Sequence, residues 1–217
     1  MLTVKIDGTA PLTPASVKAL DAVCDQAEDS PGSGVVTVYV EGAPGAGWTS
    51  GLSVPLVTKW ERVLRRLERV PVPTVAVATG DIGGSALDAF LATDLRTATP
   101  RTRLLVANDG AATWPGMAAF RLVQQAGAAR IRRAVLFGRP ITADEALALG
   151  LVDELADDPA DALAAITEAA GRMSGKELAV RRQLLFDATS HSFEDAIGPH
   201  LAASDRALRR VAAAEAS

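Results

Sequence analysis

The 217-residue chain has few cysteines, histidines and aromatic residues, and these scarcities exclude several kinds of site. Its single cysteine, Cys24, allows neither an intrachain disulfide nor a multi-cysteine metal site. Because Leu20 and Val23 accompany Cys24 at helical spacing, we interpret the cysteine as a small core residue. The two histidines, His191 and His200, lie in a helical C-terminal pattern and give no metal-binding cluster, so we predict no metal site.

The chain also lacks a long hydrophobic run and an excess of positive charge. No apolar run approaches the ~18 residues of a membrane helix, and the N-terminal "MLTVKIDG" has no signal-peptide pattern. With 22 basic and 26 acidic residues, the net charge of -4 does not favour binding to nucleic acid or anionic lipid. The clearest basic group, Arg130, Arg132 and Arg133, fits a solvated helix face. We therefore expect a soluble, cytoplasmic protein that binds neither nucleic acid nor membranes.

Hydrophobic residues make up 48% of the chain, enough for the core of one domain. Short apolar runs alternate with amphipathic helical patterns until a helical C-terminus. This alternation predicts an α/β fold with a parallel sheet. Helix boundaries are marked by Thr13 before Pro14, by a break near Gly127, and by a capping box of Thr142 and Glu145.

Two glycine-rich turns, "GWTSGLS" (47–53) and "GDIGGSAL" (80–87), each follow a predicted strand. Such turns can aim two backbone N–H groups at one carbonyl oxygen and stabilise an enolate. A simpler alternative is two tight loops that need small residues for steric reasons. The second turn opens a helical pattern in which Asp88 stands among Leu87, Phe90, Leu91 and Leu95.

Two other interpretations of these turns fit less well. Gly42 and Gly47 have the spacing of a phosphate-binding loop, but Trp48 stands where that loop needs lysine. Ser85 follows two glycines as in a nucleophile elbow, but Leu87 replaces the final glycine, and neither histidine lies nearby in the sequence. We therefore expect neither triphosphate binding nor serine hydrolysis.

The order of these segments resembles the crotonase superfamily, the enoyl-CoA hydratases and isomerases. The resemblance is carried by "GWTSGLS" (47–53), "VPTVAVATGDIGGSALDAFLATDLRTA" (72–98), "WPG" (114–116) and, most specifically, "LFGRPITADEALALGLVDEL" (136–155). It implies a crotonase-like (ClpP/crotonase) spiral of ββα units, with an α/β core over residues 1–157. Residues 158–217 would form a C-terminal helical oligomerisation region of the same domain, in a trimer or hexamer.

The resemblance also implies a set of site residues. It places the two oxyanion-hole amides at Leu52 and Ser85. The first catalytic glutamate of the hydratases falls on Asp88, and the second on Asn108, with Asp109 next to it. The same segments supply the residues expected to bind substrate, which are Trp48, Gly51, Gly84, Ala86 and Trp114.

An Asp/Asn pair has only one ionisable group, so we expect poor hydration of crotonyl-CoA. In this departure the chain resembles the small hydratase-like proteins of the 3,5-dihydroxyphenylacetyl-CoA pathway, which supplies dihydroxyphenylglycine to glycopeptide antibiotics. The resemblance implies a lyase-type enzyme that assists cyclisation and dehydration of a polyketide-CoA, with coenzyme A only as part of the substrate thioester and no separate cofactor. Its partners would be a type III polyketide synthase and other hydratase-like proteins of the pathway. Two alternatives remain: a non-catalytic partner that stimulates the synthase, and an ordinary enoyl-CoA hydratase or isomerase.

Overall fold

The computed structural model describes residues 2–30, 34–170 and 175–215, which contain strands and helices in alternation. The strands are β1 (Leu2–Asp7), β2 (Val36–Gly42), β3 (Thr74–Gly83), β4 (Leu95–Ala98), β5 (Arg103–Leu105), β6 (Ile141–Thr142) and β7 (Glu154–Leu155). The helices are α1 (Pro14–Asp29), α2 (Val54–Leu67), α3 (Ser85–Leu91), α4 (Met117–Ala126), α5 (Ala128–Phe137), α6 (Ala143–Ala148), α7 (Pro159–Ala170), α8 (Gly175–Asp187) and α9 (Phe193–Glu215).

The sheet is built on parallel strands in the order β1-β2-β3-β4-β7. The long strand β3 has two partners on the same side: its first half pairs with β4, and its last residues pair with β5. Strand β6 then pairs with β5 in antiparallel orientation. The predicted α/β fold with a parallel sheet is therefore confirmed.

The helix boundaries marked in the sequence are also confirmed. The Thr13 hydroxyl caps α1 by accepting a hydrogen bond from the Ser16 N–H at 3.2 Å. Thr142 and Glu145 form the expected capping box at the start of α6. Gly127 separates α4 from α5. Local sequence thus determines where these helices begin and end.

The helix after the second glycine-rich turn is shorter than the sequence pattern suggests. Helix α3 ends at Leu91, and the prediction that Leu95 belongs to it is wrong, because Leu95 begins strand β4 beside β3. The Thr93 hydroxyl donates to the Phe90 carbonyl at the end of the helix. The Asp94 carboxylate then accepts from the Thr74 N–H at 2.9 Å, which ties the chain to the start of β3.

Apolar residues cover both faces of the sheet, because alternate residues of β3 point to opposite sides. Ala76 and Ala78 belong to the main core, which also contains Trp60 and Phe90. Val75 and Val77 belong to a second cluster with Leu163 of α7. Both faces of this strand are therefore buried, as its continuous apolar sequence predicts.

The helix α8 is fixed to the body by a buried arginine. Arg182 donates from Nε and Nη2 to the two carboxylate oxygens of Asp94 at 2.7 and 2.6 Å, and from Nη1 to the Val70 carbonyl at 2.5 Å. Helix α9, in contrast, leaves large apolar side chains exposed: Phe193, Ile197, Leu201, Leu208 and Val211. Among the described residues, no helix combines the length and apolarity needed to cross a membrane.

Candidate active site

The ends of the first three strands meet so closely that they require glycine. A Cβ atom on Gly8 would lie 2.3 Å from the Gly42 carbonyl oxygen and 2.5 Å from that of Gly83. The next residue, Gly84, has φ of +53° and ψ of -129°, a conformation essentially restricted to glycine. Gly8 and Gly84 are therefore needed for steric reasons, in agreement with the interpretation of the glycine-rich segments as tight loops.

The same turn also points the start of α3 into a cleft. Gly84 is the N-cap residue, and no side chain of the described residues caps the helix. The N–H groups of a first helical turn lack acceptors within their own helix. Ser85, the first residue of α3, lines a cleft of about 700 Å³ that includes space open to solvent. Its amide thus begins the helix at the wall of a cavity, where an anion or carbonyl oxygen is favoured.

The second predicted oxyanion donor, Leu52, lines the same cleft. Its N–H, however, donates to the Thr49 carbonyl at 3.0 Å within a tight turn, and the Ser50 N–H donates to the Gly47 carbonyl at 2.9 Å. The structure thus brings Leu52 to the cleft, with its amide already bonded inside the loop.

Asp88 lies one helical turn beyond Ser85 and lines the cleft. The indole Nε1 of Trp60 donates to its Oδ2 at 3.3 Å. Burial, followed by the nearby Glu61 carboxylate, raises the pKa of Asp88 from 3.8 to about 7, while the charge of Arg121 opposes the increase. The side chain can therefore both give and accept a proton near neutral pH.

A second carboxyl group, which forms an ion pair with a buried arginine behind it, lines the cleft. Glu61 of α2 also lines it, and its Oε2 accepts from Nη1 of the buried Arg121 at 2.9 Å. Arg121 Nε donates to Oε1 of Glu68 at 2.9 Å. Burial raises the pKa of Glu61, and Arg121 limits the increase. The cleft therefore holds two carboxyl groups, where the sequence analysis counts one.

The chain has three tryptophans, and all of them line this one cleft. Trp48 and Trp114 are in edge-to-face contact, with ring centroids 5.2 Å apart and planes at 76°. Trp48 is held by a 2.8 Å hydrogen bond from its Nε1 to the Asn108 carbonyl oxygen. Trp60 comes from the core side. A chain with 4% aromatic residues thus concentrates its largest rings around the site.

Four predicted site residues lie outside the cleft lining. The Asn108 side chain accepts from the Gly110 N–H at 2.6 Å, and Asp109 accepts from the N–H groups of Ala111 and Ala112 at 2.9 Å. Both side chains are exposed and stabilise the loop after β5. Gly51 is exposed in its own loop, and Ala86 is buried in the main core. The structure therefore places none of these four in the lining of the cleft.

Sequence reasoning missed the roles of Trp60, Glu61 and Arg121. The periodicity of α2 correctly places Trp60 on the buried face, but a buried tryptophan predicts only core packing. In the sequence, Glu61 occupies a position that is ordinarily polar in an amphipathic helix. Only the packing of α2 beside α3 brings it to the cleft. No group of three or more potential metal ligands occurs among the described residues.

Comparison of the sequence with known proteins gives the same family from a family model and from an individual relative. Residues 55–215 match the sequence model of the family described as enoyl-CoA hydratase/isomerase. An enoyl-CoA-hydratase of Amycolatopsis orientalis is 60% identical over 211 residues, which cover 97% of each chain.

Solved structures show the same fold at low identity. An enoyl-CoA hydratase of Mycobacterium smegmatis superposes with a TM-score of 0.82 at 17% identity, over 95% of this chain and 86% of that one. An enoyl-CoA hydratase/isomerase from Marinobacter aquaeolei gives 0.75 at 17% identity, over 99% and 88%. The predicted fold class is therefore confirmed.

Proposed function

Because the chain belongs to the enoyl-CoA hydratase/isomerase family, we propose that its cleft binds the acyl part of a coenzyme A thioester and stabilises the enolate. The observation that carries this proposal is the shared cleft of Ser85 and Asp88, which combines an uncapped helix start with a titratable carboxyl. The Ser85 N–H donates to the thioester oxygen, and the interaction strengthens as negative charge develops there. Asp88 transfers a proton as water is lost or added.

The Leu52 amide is the second donor in this proposal. It leaves or shares its hydrogen bond to the Thr49 carbonyl when the thioester oxygen arrives. That exchange replaces a neutral acceptor by one with developing charge, and charged acceptors form the stronger bonds. Substrate binding therefore reorganises the loop over residues 47–53.

The tryptophans support a flat, conjugated acyl group. Trp48 and Trp114 form an edge-to-face pair in the cleft that Glu61 and Asp88 also line, and aromatic groups pack favourably against such a pair. A cyclised polyketide-CoA that loses water to become a dihydroxyphenylacetyl-CoA has this shape. We propose that the protein acts in the pathway to 3,5-dihydroxyphenylacetyl-CoA and dihydroxyphenylglycine, with a type III polyketide synthase as its partner.

The name of the Amycolatopsis orientalis relative favours a second candidate, an ordinary enoyl-CoA hydratase. The two candidates differ in the acyl group. Hydration of cinnamoyl-CoA and crotonyl-CoA, followed by loss of the conjugated enoyl absorbance, separates them. The aromatic proposal expects a higher kcat/KM for cinnamoyl-CoA, whereas a preference for crotonyl-CoA supports the ordinary hydratase.

The variant Trp48→Leu tests whether the tryptophan pair is responsible for a preference for cinnamoyl-CoA. The variant removes one ring of the edge-to-face pair, so it is expected to lower kcat/KM for cinnamoyl-CoA more than for crotonyl-CoA. An equal loss for both thioesters contradicts an aromatic acyl site.

Deuterium uptake tests enolate formation directly. Phenylacetyl-CoA incubated in D2O with the protein is expected to gain mass at its α-carbon, as measured by mass spectrometry. No exchange, together with no effect on a polyketide-CoA already released by the synthase, indicates the non-catalytic partner instead.

We also propose a homo-oligomer, a trimer or hexamer. Five large apolar residues of α9 are between 42% and 74% exposed, and they recur at helical spacing along one side. A subunit neighbour would cover them. Light scattering at micromolar concentration is expected to give three or six times the chain mass, and a monomer contradicts this part of the proposal.

A further inference from the structure

Two carboxyl groups enter the cleft from different helices, Asp88 from α3 and Glu61 from α2. Trp60 links the two helices, because its Nε1 donates a hydrogen bond to Asp88 Oδ2 at 3.3 Å. Glu61 is the next residue after Trp60 in α2. The Glu61 side chain keeps 20% of its surface accessible. It is thus near Asp88 and still able to touch a bound molecule.

Among the described residues, Glu61 belongs to a network of ion pairs in which Asp88 has no part. Arg121, on α4, is buried and bonds to both Glu61 and Glu68, and Arg65 bonds to the second oxygen of Glu68 at 2.8 Å. Two arginines therefore match two glutamates. In the part of the chain that the structure describes, the donors to an ionised Asp88 are the Trp60 side chain, at 3.3 Å, and the Ala118 backbone N–H.

The two carboxyls accordingly differ in kind. Glu61 has an ion-pair partner in Arg121, which opposes the rise that burial causes in the pKa of Glu61 and suits this carboxyl to the role of base. Asp88 has none among the described residues, and burial raises its pKa to about 7, which keeps a proton available. Neighbouring carboxyls whose surroundings differ in this way can divide the acid and base roles of an active site.

We propose that Glu61 is the second catalytic carboxylate of this site, acting as the base while Asp88 acts as the acid. The inference rests on the proposed function. It assigns to α2 a role that the sequence analysis gives to Asn108 or Asp109, whose side chains stabilise a loop outside the cleft.

Water loss from a 3-hydroxyacyl thioester then proceeds as follows. Glu61 removes the α-proton, and the C–H electron pair forms the enolate held by the Ser85 N–H. As the carbonyl re-forms, the electrons make the Cα=Cβ double bond and the Cβ–O bond breaks. Asp88 gives its proton to the departing hydroxyl, which leaves as water. Transfer of one proton from Glu61 to Asp88 restores the starting pair.

Glu61→Gln and Glu68→Gln form a matched pair of variants. Each removes one ion pair to Arg121, but only Glu61 lines the cleft. Glu61→Gln is expected to reduce α-deuterium uptake by phenylacetyl-CoA and hydration of cinnamoyl-CoA by about 100-fold or more. Glu68→Gln is expected to retain both. Asp88→Asn is expected to lose hydration but retain exchange, because exchange needs only the base.

The pairing itself is measured without substrate. A carbon-13 NMR titration of the aspartate carboxyls, assigned with Asp88→Asn, gives the pKa of Asp88 in each protein. Glu61→Gln is expected to lower it, because a negative neighbour is removed while the positive Arg121 remains. Glu68→Gln is expected to leave it nearly unchanged.

Three results would overturn the inference: an unchanged Asp88 pKa in Glu61→Gln, full activity in that variant, or equal losses in both glutamine variants, which indicate a structural role. If the wild-type protein acts on no acyl thioester, the proposed function fails and the catalytic role of Glu61 fails with it. The titration then still decides whether the two carboxyls are coupled.

Discussion

Replacing Asp88 by Asn is expected to stabilise the folded protein at neutral pH while removing its water-loss activity. The reason is that burial raises the pKa of the carboxyl from 3.8 to about 7, so folding works against its ionisation. The folded chain holds this proton more tightly than the unfolded chain. The free energy of unfolding therefore falls as pH rises from about 4 to about 7, and below about 4 the residue adds no penalty.

The size of the effect follows from these two pKa values. The raised pKa of Asp88 destabilises the folded state by about 4 kcal/mol at pH 7.5 and by about 2 kcal/mol at pH 5. Asparagine keeps an oxygen acceptor for the Trp60 N–H and carries no charge. The amide N–H groups of the asparagine lose hydration on folding, which reduces the gain in stability by about 1 kcal/mol. We therefore expect the substitution to raise the free energy of unfolding by about 3 kcal/mol at pH 7.5 and by about 1 kcal/mol at pH 5.

Urea unfolding of both proteins at pH 5 and 7.5, at one protein concentration, measures this change. Asp109→Asn is the control, because hydrogen bonds from the N–H groups of Ala112 and Ala111 lower the pKa of Asp109. Its carboxylate stabilises the fold at neutral pH and loses that effect as pH falls, so the substitution is expected to destabilise. A loss of stability in Asp88→Asn at pH 7.5, or a difference independent of pH, would refute the argument.

Three further predictions concern the turn and the C-terminal anchor. Ser85→Ala keeps the amide and is expected to change kcat little. Ser85→Pro removes the amide and is expected to lower kcat by about 100- to 1000-fold, provided that circular dichroism shows it to be folded. Equal losses of kcat in the two variants would indicate that the hydroxyl is the active group. Gly84→Ala is expected to cost about 1–3 kcal/mol in urea unfolding, since φ is +53° and the new Cβ would lie 3.1 Å from Pro44; an unchanged stability contradicts this. Arg182→Leu leaves Asp94 without its arginine and is expected to lower the free energy of unfolding by about 3–5 kcal/mol. Arg181→Leu, at an exposed ion pair, is expected to change it little. Similar losses in the two variants would show that the buried pair does not anchor α8.

Local patterns were sufficient for much of the fold because they act over a few residues. The Thr142–Glu145 capping box and the break at Gly127 depend on neighbouring backbone groups. The family motifs singled out Ser85 and Asp88 within one continuous segment, and both residues line the same cleft. The pattern failed at Leu95, where pairing with β3 overrides the helical spacing.

The sequence by itself determined the α/β class and the glycine-rich turn, since each follows from short-range periodicity and steric demand. Only the tertiary structure decided which polar groups share the cleft. Glu61 is 27 positions from Asp88 and Arg121 is 33, and no local rule links residues so far apart along the chain. Their proximity arises from the packing of α2, α3 and α4, and the surroundings created by that packing, rather than the residue type, set the proton affinity of Asp88.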